Sequence, residues 1–322
     1  MAQEIGASVV ARAPYQSIVN RPPLKLPGDA RVVLWNIVNV EVWEPTSPMP
    51  RAVLSPPMGA PLQPDVPNWA WHEYGMRVGF WRILEALQQR GMKATFALNG
   101  SAIRRYEEVC TAARDAGWEF MGHGFVQRPM HQLDDQRAAI DATVDVIRRL
   151  TGKGPVGWES PGLTETESTL DHLRAAGIEY VANWPIDDLP SVLHTKHGPM
   201  LQVPYTVETN DIVVHAVQHL PSDAFMRRCI DQFERLHQDG ASNARVMAIS
   251  LHPYLSGVPH RIGSLDKGLE YICRHEGVWL ATGAEIAAAG RQALGQQGGA
   301  RRGNAAVGAV EHHAFPPAAE AR

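Results

Sequence analysis

The chain has 322 residues and a mass of 35.4 kDa, enough for one large α/β barrel-type domain or two ordinary ones. Thirty Lys and Arg stand against 34 Asp and Glu, a formal charge of −4, which excludes a strongly basic nucleic-acid-binding domain. No run approaches the roughly 20 apolar residues that span a bilayer, and the N-terminus (MAQEIGASVVARAPYQ) lacks the basic start and apolar core of a secretory signal. Cys110, Cys229 and Cys273 form no CxxC pair, so buried or half-buried thiols in a reducing cytoplasm are expected.

Residues 1–29 carry four prolines and little periodicity and read as an extended arm. Arg31–Val40 (RVVLWNIVNV) is dense in β-branched residues, the pattern of a strand buried on both faces, and it stops at Glu41. Eight prolines in the 23 residues from Pro45 to Pro67 predict a long loop, with Trp43, Trp69 and Trp71 beside it to fold it onto the body. An apolar stripe at Phe80, Trp81, Ile83, Leu84 and Leu87 predicts a helix over Gly79–Arg90. Strands at Lys93–Leu98 and Trp118–Met121 alternate with helices at Ser101–Ala116, capped by Ser101, and Asp134–Leu150, closed by Gly152. A strand near Val156, a helix at Glu165–Ala176 and a strand at Glu179–Ala182 continue the pattern. Helices at Ser222–Gln238 and Ile262–His275, strands at Arg245–Leu251 and Val278–Ala281, and a last helix from Thr282 complete it. Such alternation predicts parallel strands with crossover helices. The number of units, with no GxGxxG after any strand, favours a closed or nearly closed barrel over two dinucleotide-binding halves. Arg291–Arg322 holds nine alanines and five glycines and reads as a low-complexity, disordered tail, so the expected divisions are 1–29, 30–290 and 291–322.

Glu41, His123 and His252 each fall just past the end of a predicted strand. In a parallel barrel those ends gather on one face, so the three are expected to meet as the catalytic group. Gly122 and Gly124 flank His123 and permit close approach of a ligand, while Pro253 holds His252 extended. Gln127 follows His123 by four residues, so Glu41, His123 and Gln127 could together hold one divalent ion. The other reading has Gln127 bonding to substrate or to His123, with no metal.

Seven short pieces, in this order and spacing, carry a likeness: Asn39-Val-Glu41, Tyr74–Arg82 (YGMRVGFWR), Gly122-His-Gly124, Asp187-Asp-Leu-Pro190, Val203-Pro-Tyr205, Asn210-Asp211 and Leu251-His-Pro253. Through them residues 30–290 resemble the polysaccharide deacetylase superfamily (carbohydrate esterase family 4), and within it the intracellular branch of metal-independent allantoinases, cyclic imide hydrolases and a cytoplasmic peptidoglycan deacetylase-like group. The resemblance implies a distorted (β/α) barrel of about seven strands. Where the deacetylases carry two aspartates after the first strand, this chain has Asn39 and Glu41. Their second histidine is Gln127 here, and their arginine motif reads Glu159-Ser-Pro-Gly162. These departures point away from sugar deacetylation and toward the opening of cyclic amides. The resemblance implies that Glu41 activates water, with or without a weakly bound zinc or manganese ion. It further implies that His123 stabilises the oxyanion and His252 protonates the leaving nitrogen. Asn39, Arg77, Gln127, Asp188 and Tyr205 are the expected substrate contacts, joined by Trp81, whose place on the apolar stripe equally suits the core.

The expected protein is thus a cytoplasmic hydrolase of a non-peptide carbon–nitrogen bond in a small cyclic amide such as allantoin, a hydantoin or a cyclic imide. It is expected to be a homotetramer or dimer, with a small-molecule substrate and no nucleic-acid or membrane partner. The alternatives are an N-deacetylase of an acetylated amine or amino sugar and a catalytically inactive ligand-binding barrel.

Overall fold

Val32–Val40 (β1) is buried at every residue and is paired along both edges. Arg245–Leu251 (β8) runs parallel to it on one side. On the other side Val278–Leu280 (β9) takes its first half and Thr95–Leu98 (β2) its second. A strand in this position exposes no face to water, which is why its sequence is an unbroken apolar run. Beyond β2 the sheet continues through Glu119–Gly122 (β3), Gly157–Trp158 (β4) and Tyr180–Val181 (β5) to the hairpin Ser191–Thr195 (β6) and Gly198–Gln202 (β7). All pairings are parallel except β6 with β7. The two ends of the sheet meet through irregular chain: the Val246 N–H donates to the Asp188 carbonyl and the Ser250 N–H to that of Thr209, each at 3.0 Å. The result is the expected distorted α/β barrel, in a computed structural model that describes residues 9–302.

Side-chain alternation along β1 sorts the core into two layers. Val32, Leu34, Val38 and Val40 face the outer helices, where they meet Phe80, Ile83 and Leu87 of the helix Phe80–Gln88, and Phe225 and Phe233 of Ala224–Asp239. Val33, Trp35 and Ile37 face inward, against Met121 of β3, Tyr180 of β5 and Ala248 of β8. Asn39 and Glu41 extend that inward series to the carboxyl end of the barrel. His123 stands in the same phase as Met121, and His252 in that of Ala248 and Ser250.

Several elements differ from expectation. The proline-rich stretch ends earlier than predicted, in a helix Val66–Tyr74, because Asp65 caps it and Pro67 occupies its first turn, where no amide donor is needed. A turn of π-helix, Gly75–Gly79, joins it to Phe80–Gln88. A Cβ on Gly79 would lie 2.1 Å from the Pro253 carbonyl oxygen, so glycine here lets the helix press on the chain just after His252. The helix expected over Ser101–Ala116 breaks at Tyr106 into Ala102–Arg105 and Glu107–Asp115, and Ser101 makes no capping bond. The hairpin β6–β7 was not anticipated, since its apolar alternation is weak and only Gly198, with φ 103°, marks the turn.

Both termini differ from expectation. The arm packs on the body: Arg12 grips Asp171 at 2.7 and 2.8 Å, Arg21 bonds to Asp187 at 2.6 Å, and Leu24 and Leu26 are buried. The final helix runs Gly283–Arg302, so the tail does not begin at Arg291, which pairs with Glu179 at 2.8 Å while Ala293 and Leu294 join the inner core. The rest of the expected tail, 303–322, lies outside the described residues. No helix among the described residues is long and apolar enough to cross a membrane.

Candidate active site

Glu41, His123 and His252 meet at the carboxyl end of the barrel. Glu41 Oε1 lies 3.6 Å from His123 Nε2 and 4.0 Å from His252 Nε2, and all three side chains are buried. They line one cavity of about 780 Å³, the size of a small-molecule site. Ser47, Pro48, Pro50 and Arg51 of the proline-rich loop form part of its wall, as the flanking tryptophans led one to expect.

Each of the three is held by a different device. Glu41 accepts from the Trp43 indole at 2.6 Å and from Gln127 Nε2 at 2.8 Å. Trp43 is in turn stacked on the buried ring of His72 at 4.3 Å. Burial alone would raise the Glu41 pKa, but the imidazoles of His123 and His252 close to it outweigh that and hold the carboxylate at about 2. His72 titrates the other way: burial pushes it down to about 4, so it remains a neutral ring against the indole.

His123 Nδ1 lies 2.8 Å from the Glu159 carbonyl, an acceptor, so that nitrogen carries the proton. A neutral ring would then aim its Nε2 lone pair at Glu41, and protonation turns that repulsion into attraction. Burial opposes the charge, yet the Glu41 carboxylate and the Glu159 backbone carbonyl raise the His123 pKa above its ordinary value. Gly124, at φ 72°, turns the chain immediately after this histidine in a conformation that favours glycine.

His252 is fixed by Asp211, a residue that strand-end reasoning did not single out. Asp211 Oδ2 accepts the His252 backbone N–H at 2.7 Å and the Ser256 hydroxyl at 2.6 Å, while Oδ1 takes His252 Nδ1 at 2.7 Å. Here too burial opposes charging, but Asp211 above all, with Glu41, favours it, and the imidazole pKa is raised. The motif Asn210-Asp211 was visible in the sequence, but only the fold shows it facing His252.

Gln127 tests whether a divalent metal fits. The Val42 N–H donates to Asn99 Oδ1 at 2.9 Å, which fixes that amide, so Asn99 Nδ2 donates to Gln127 Oε1 at 3.0 Å. Gln127 therefore turns its NH2 group, not its oxygen, toward Glu41. Both carboxylate oxygens already accept N–H bonds, and an amide donor stands where the expected metal set needed a ligand oxygen. Among the described residues no group of three His, Cys, Asp or Glu is arranged to hold an ion. The set Glu41, His123 and Gln127 does not fit a metal, which corrects that expectation.

The expected substrate contacts divide. Gln127 and Tyr205 line the cavity. Asn39 is buried beneath it and donates to Ser250 Oγ at 2.9 Å, and Ser250 bonds to the Tyr205 hydroxyl at 2.7 Å. Arg77, Trp81 and Asp188 do not line it. Arg77 sits in the π-helical turn with its side chain 73% exposed, 3.8 Å from Glu73. Trp81 is on the outer surface of its helix, edge-on to Phe80. Asp188 lies near Arg245 at the start of β8, the opposite end of the strand from His252. Glu159, the acid that stands in place of the deacetylases' arginine motif, is buried and lines the cavity.

Residues 71–181 match the polysaccharide deacetylase family. The chain is 30% identical over 236 residues to a polysaccharide deacetylase-like protein of Schizosaccharomyces pombe, covering 67% of this chain and 74% of that one. It superposes on a protein of Pseudomonas aeruginosa described as a probable polysaccharide deacetylase with a TM-score of 0.77 and 30% identity, over 87% of this chain and 98% of the other. PuuE allantoinase gives a TM-score of 0.77 and 29% identity, over 87% and 97%. With these relatives sharing both its barrel and its sequence, the chain belongs to the polysaccharide deacetylase superfamily, on the branch that includes PuuE allantoinase.

Proposed function

We propose that the protein hydrolyses a carbon–nitrogen amide bond in a small cyclic amide. The observation that carries this reading is the meeting of one ionised carboxylate with two imidazoles across a cavity partly walled by a loop. The likeness to PuuE allantoinase supports the cyclic substrate. The loop wall favours a compact molecule over a polymer.

In this mechanism a water held by Glu41 attacks the ring carbonyl, and its proton passes to the carboxylate. The imidazolium of His123, with its Nε2 buried and without a hydrogen-bond partner among the described residues, faces the oxyanion as charge develops. The carbon–nitrogen bond then breaks as His252 Nε2 gives its proton to the departing nitrogen, leaving a ring-opened carboxylic acid. A carboxylate held at about 2 is ionised but a weak base. Transfer of the His252 proton removes one of the positive charges that weaken it, so the two proton transfers are coupled. No step uses a metal, because the donor set does not suit one.

The superfamily membership favours a second reading, N-deacetylation of an acetylated amine or amino sugar, by the same attack on an open-chain amide. Initial rates on allantoin, hydantoin and succinimide, set against acetate release from N-acetylglucosamine, decide between them. Ring opening faster than deacetylation supports the first reading; acetate release with no ring opening replaces it with the second.

A further inference from the structure

Glu159 brings a second carboxyl group into the cavity, and the mechanism above does not use its side chain. The group is buried, and Oε2 has no hydrogen-bond partner among the described residues. Its neighbour, the Tyr205 hydroxyl, is already bonded to Ser250 at 2.7 Å and receives Asn210 Nδ2 at 3.2 Å. A buried polar atom without a partner is costly, and in a ligand cavity the ligand is the natural partner. Burial also favours the neutral form of this carboxyl over the opposing pull of His123 and His252.

A neutral carboxyl group presents a donor and an acceptor side by side. Its complement is an amide whose N–H and C=O lie on the same edge. Rings force that arrangement, whereas an open-chain secondary amide is trans and puts the two groups on opposite edges. Resting on the cyclic-amide reading, we propose that Glu159 is a specificity-determining residue that pairs with the ring N–H and the adjacent unattacked carbonyl of a cyclic imide or ureide. The attacked carbonyl is then left to His123, and the protein selects rings whose N–H lies between two carbonyls.

A glutamine side chain offers the same donor–acceptor edge without charge, so Glu159→Gln separates pairing from acid–base work. The test measures kcat/KM on succinimide, N-methylsuccinimide and N-acetylglucosamine for the wild type, Glu159→Gln and Glu159→Met, with circular dichroism as the check on folding. N-methylation abolishes the edge, and the wild type is expected to discriminate against it by about 1,000-fold or more. Glu159→Gln is expected to stay within about tenfold of the wild type on succinimide, and Glu159→Met to lose about 100-fold or more. Equal wild-type rates on the two imides overturn the inference without any variant. So does a Glu159→Gln enzyme as impaired as Glu159→Met, or a Glu159→Met enzyme with its succinimide rate intact. A wild type that releases acetate but opens no ring removes the functional reading itself, as does one inactive on every substrate; turnover of succinimide with the wrong pattern removes only the role of Glu159.

Discussion

Asp211 holds His252 twice, through the backbone N–H and through Nδ1, each at 2.7 Å, and so fixes both the position of the ring and the nitrogen that faces Glu41. Its negative charge also raises the imidazole pKa. A proton donor with a raised pKa is charged below that pKa and loses its proton as pH rises through it, so His252, together with the His123 imidazolium, sets the alkaline limb of the activity profile. Asp211→Asn removes the charge, and the limb is expected to move to lower pH, with kcat/KM down about 100-fold or more. A pH profile with an unmoved alkaline limb would contradict this assignment.

Glu41→Gln keeps the shape of the side chain and removes its charge. The expected result is a folded protein with kcat reduced by about 100- to 10,000-fold. Because the wild-type carboxylate is held at about 2, no acid limb from Glu41 is expected near neutrality. Stopped turnover assays and a thermal melt on the same preparation check both halves.

Trp43→Phe preserves an aromatic ring beside His72 but deletes the indole N–H that reaches Glu41 at 2.6 Å. A hydrogen bond to a buried charged group contributes roughly 1.5–3 kcal/mol, so the variant is expected to lose about that much stability in denaturant titration. A change below about 0.5 kcal/mol would mean that the carboxylate is held by its other partners alone.

Gln127 donates to Glu41 rather than offering an oxygen to a cation. Turnover is therefore expected to survive prolonged chelation unchanged. Gln127→His replaces the amide with an imidazole beside His123 and Glu41, and zinc titration calorimetry is expected to detect tight binding in the variant and none at this site in the wild type. Wild-type activity that disappears with chelator and returns with zinc or manganese would refute the metal-free mechanism.

The barrel and the meeting of Glu41, His123 and His252 were legible because both follow from local pattern. Period-2 alternation points every second residue inward, and strand ends share one face. Asp211 was legible only as part of a motif, since its bonds to His252 cross 41 positions of chain and belong to the tertiary structure. Gln127 was misjudged as a ligand because the direction of its amide depends on Asn99 and, through it, on the Val42 backbone. Arg77 and Trp81 lay inside a convincing motif, yet the π-helical turn sends Arg77 to solvent and leaves Trp81 on the outer face of the helix. Helix periodicity cannot foresee a register shift of that kind.

The most direct test follows ring opening of hydantoin and succinimide by metal-stripped protein, with acetate release from N-acetylglucosamine measured in parallel. Steady ring opening that chelator does not affect and that Glu41→Gln abolishes is the expected outcome. Acetate release without ring opening, or ring opening that persists in Glu41→Gln, would contradict the account.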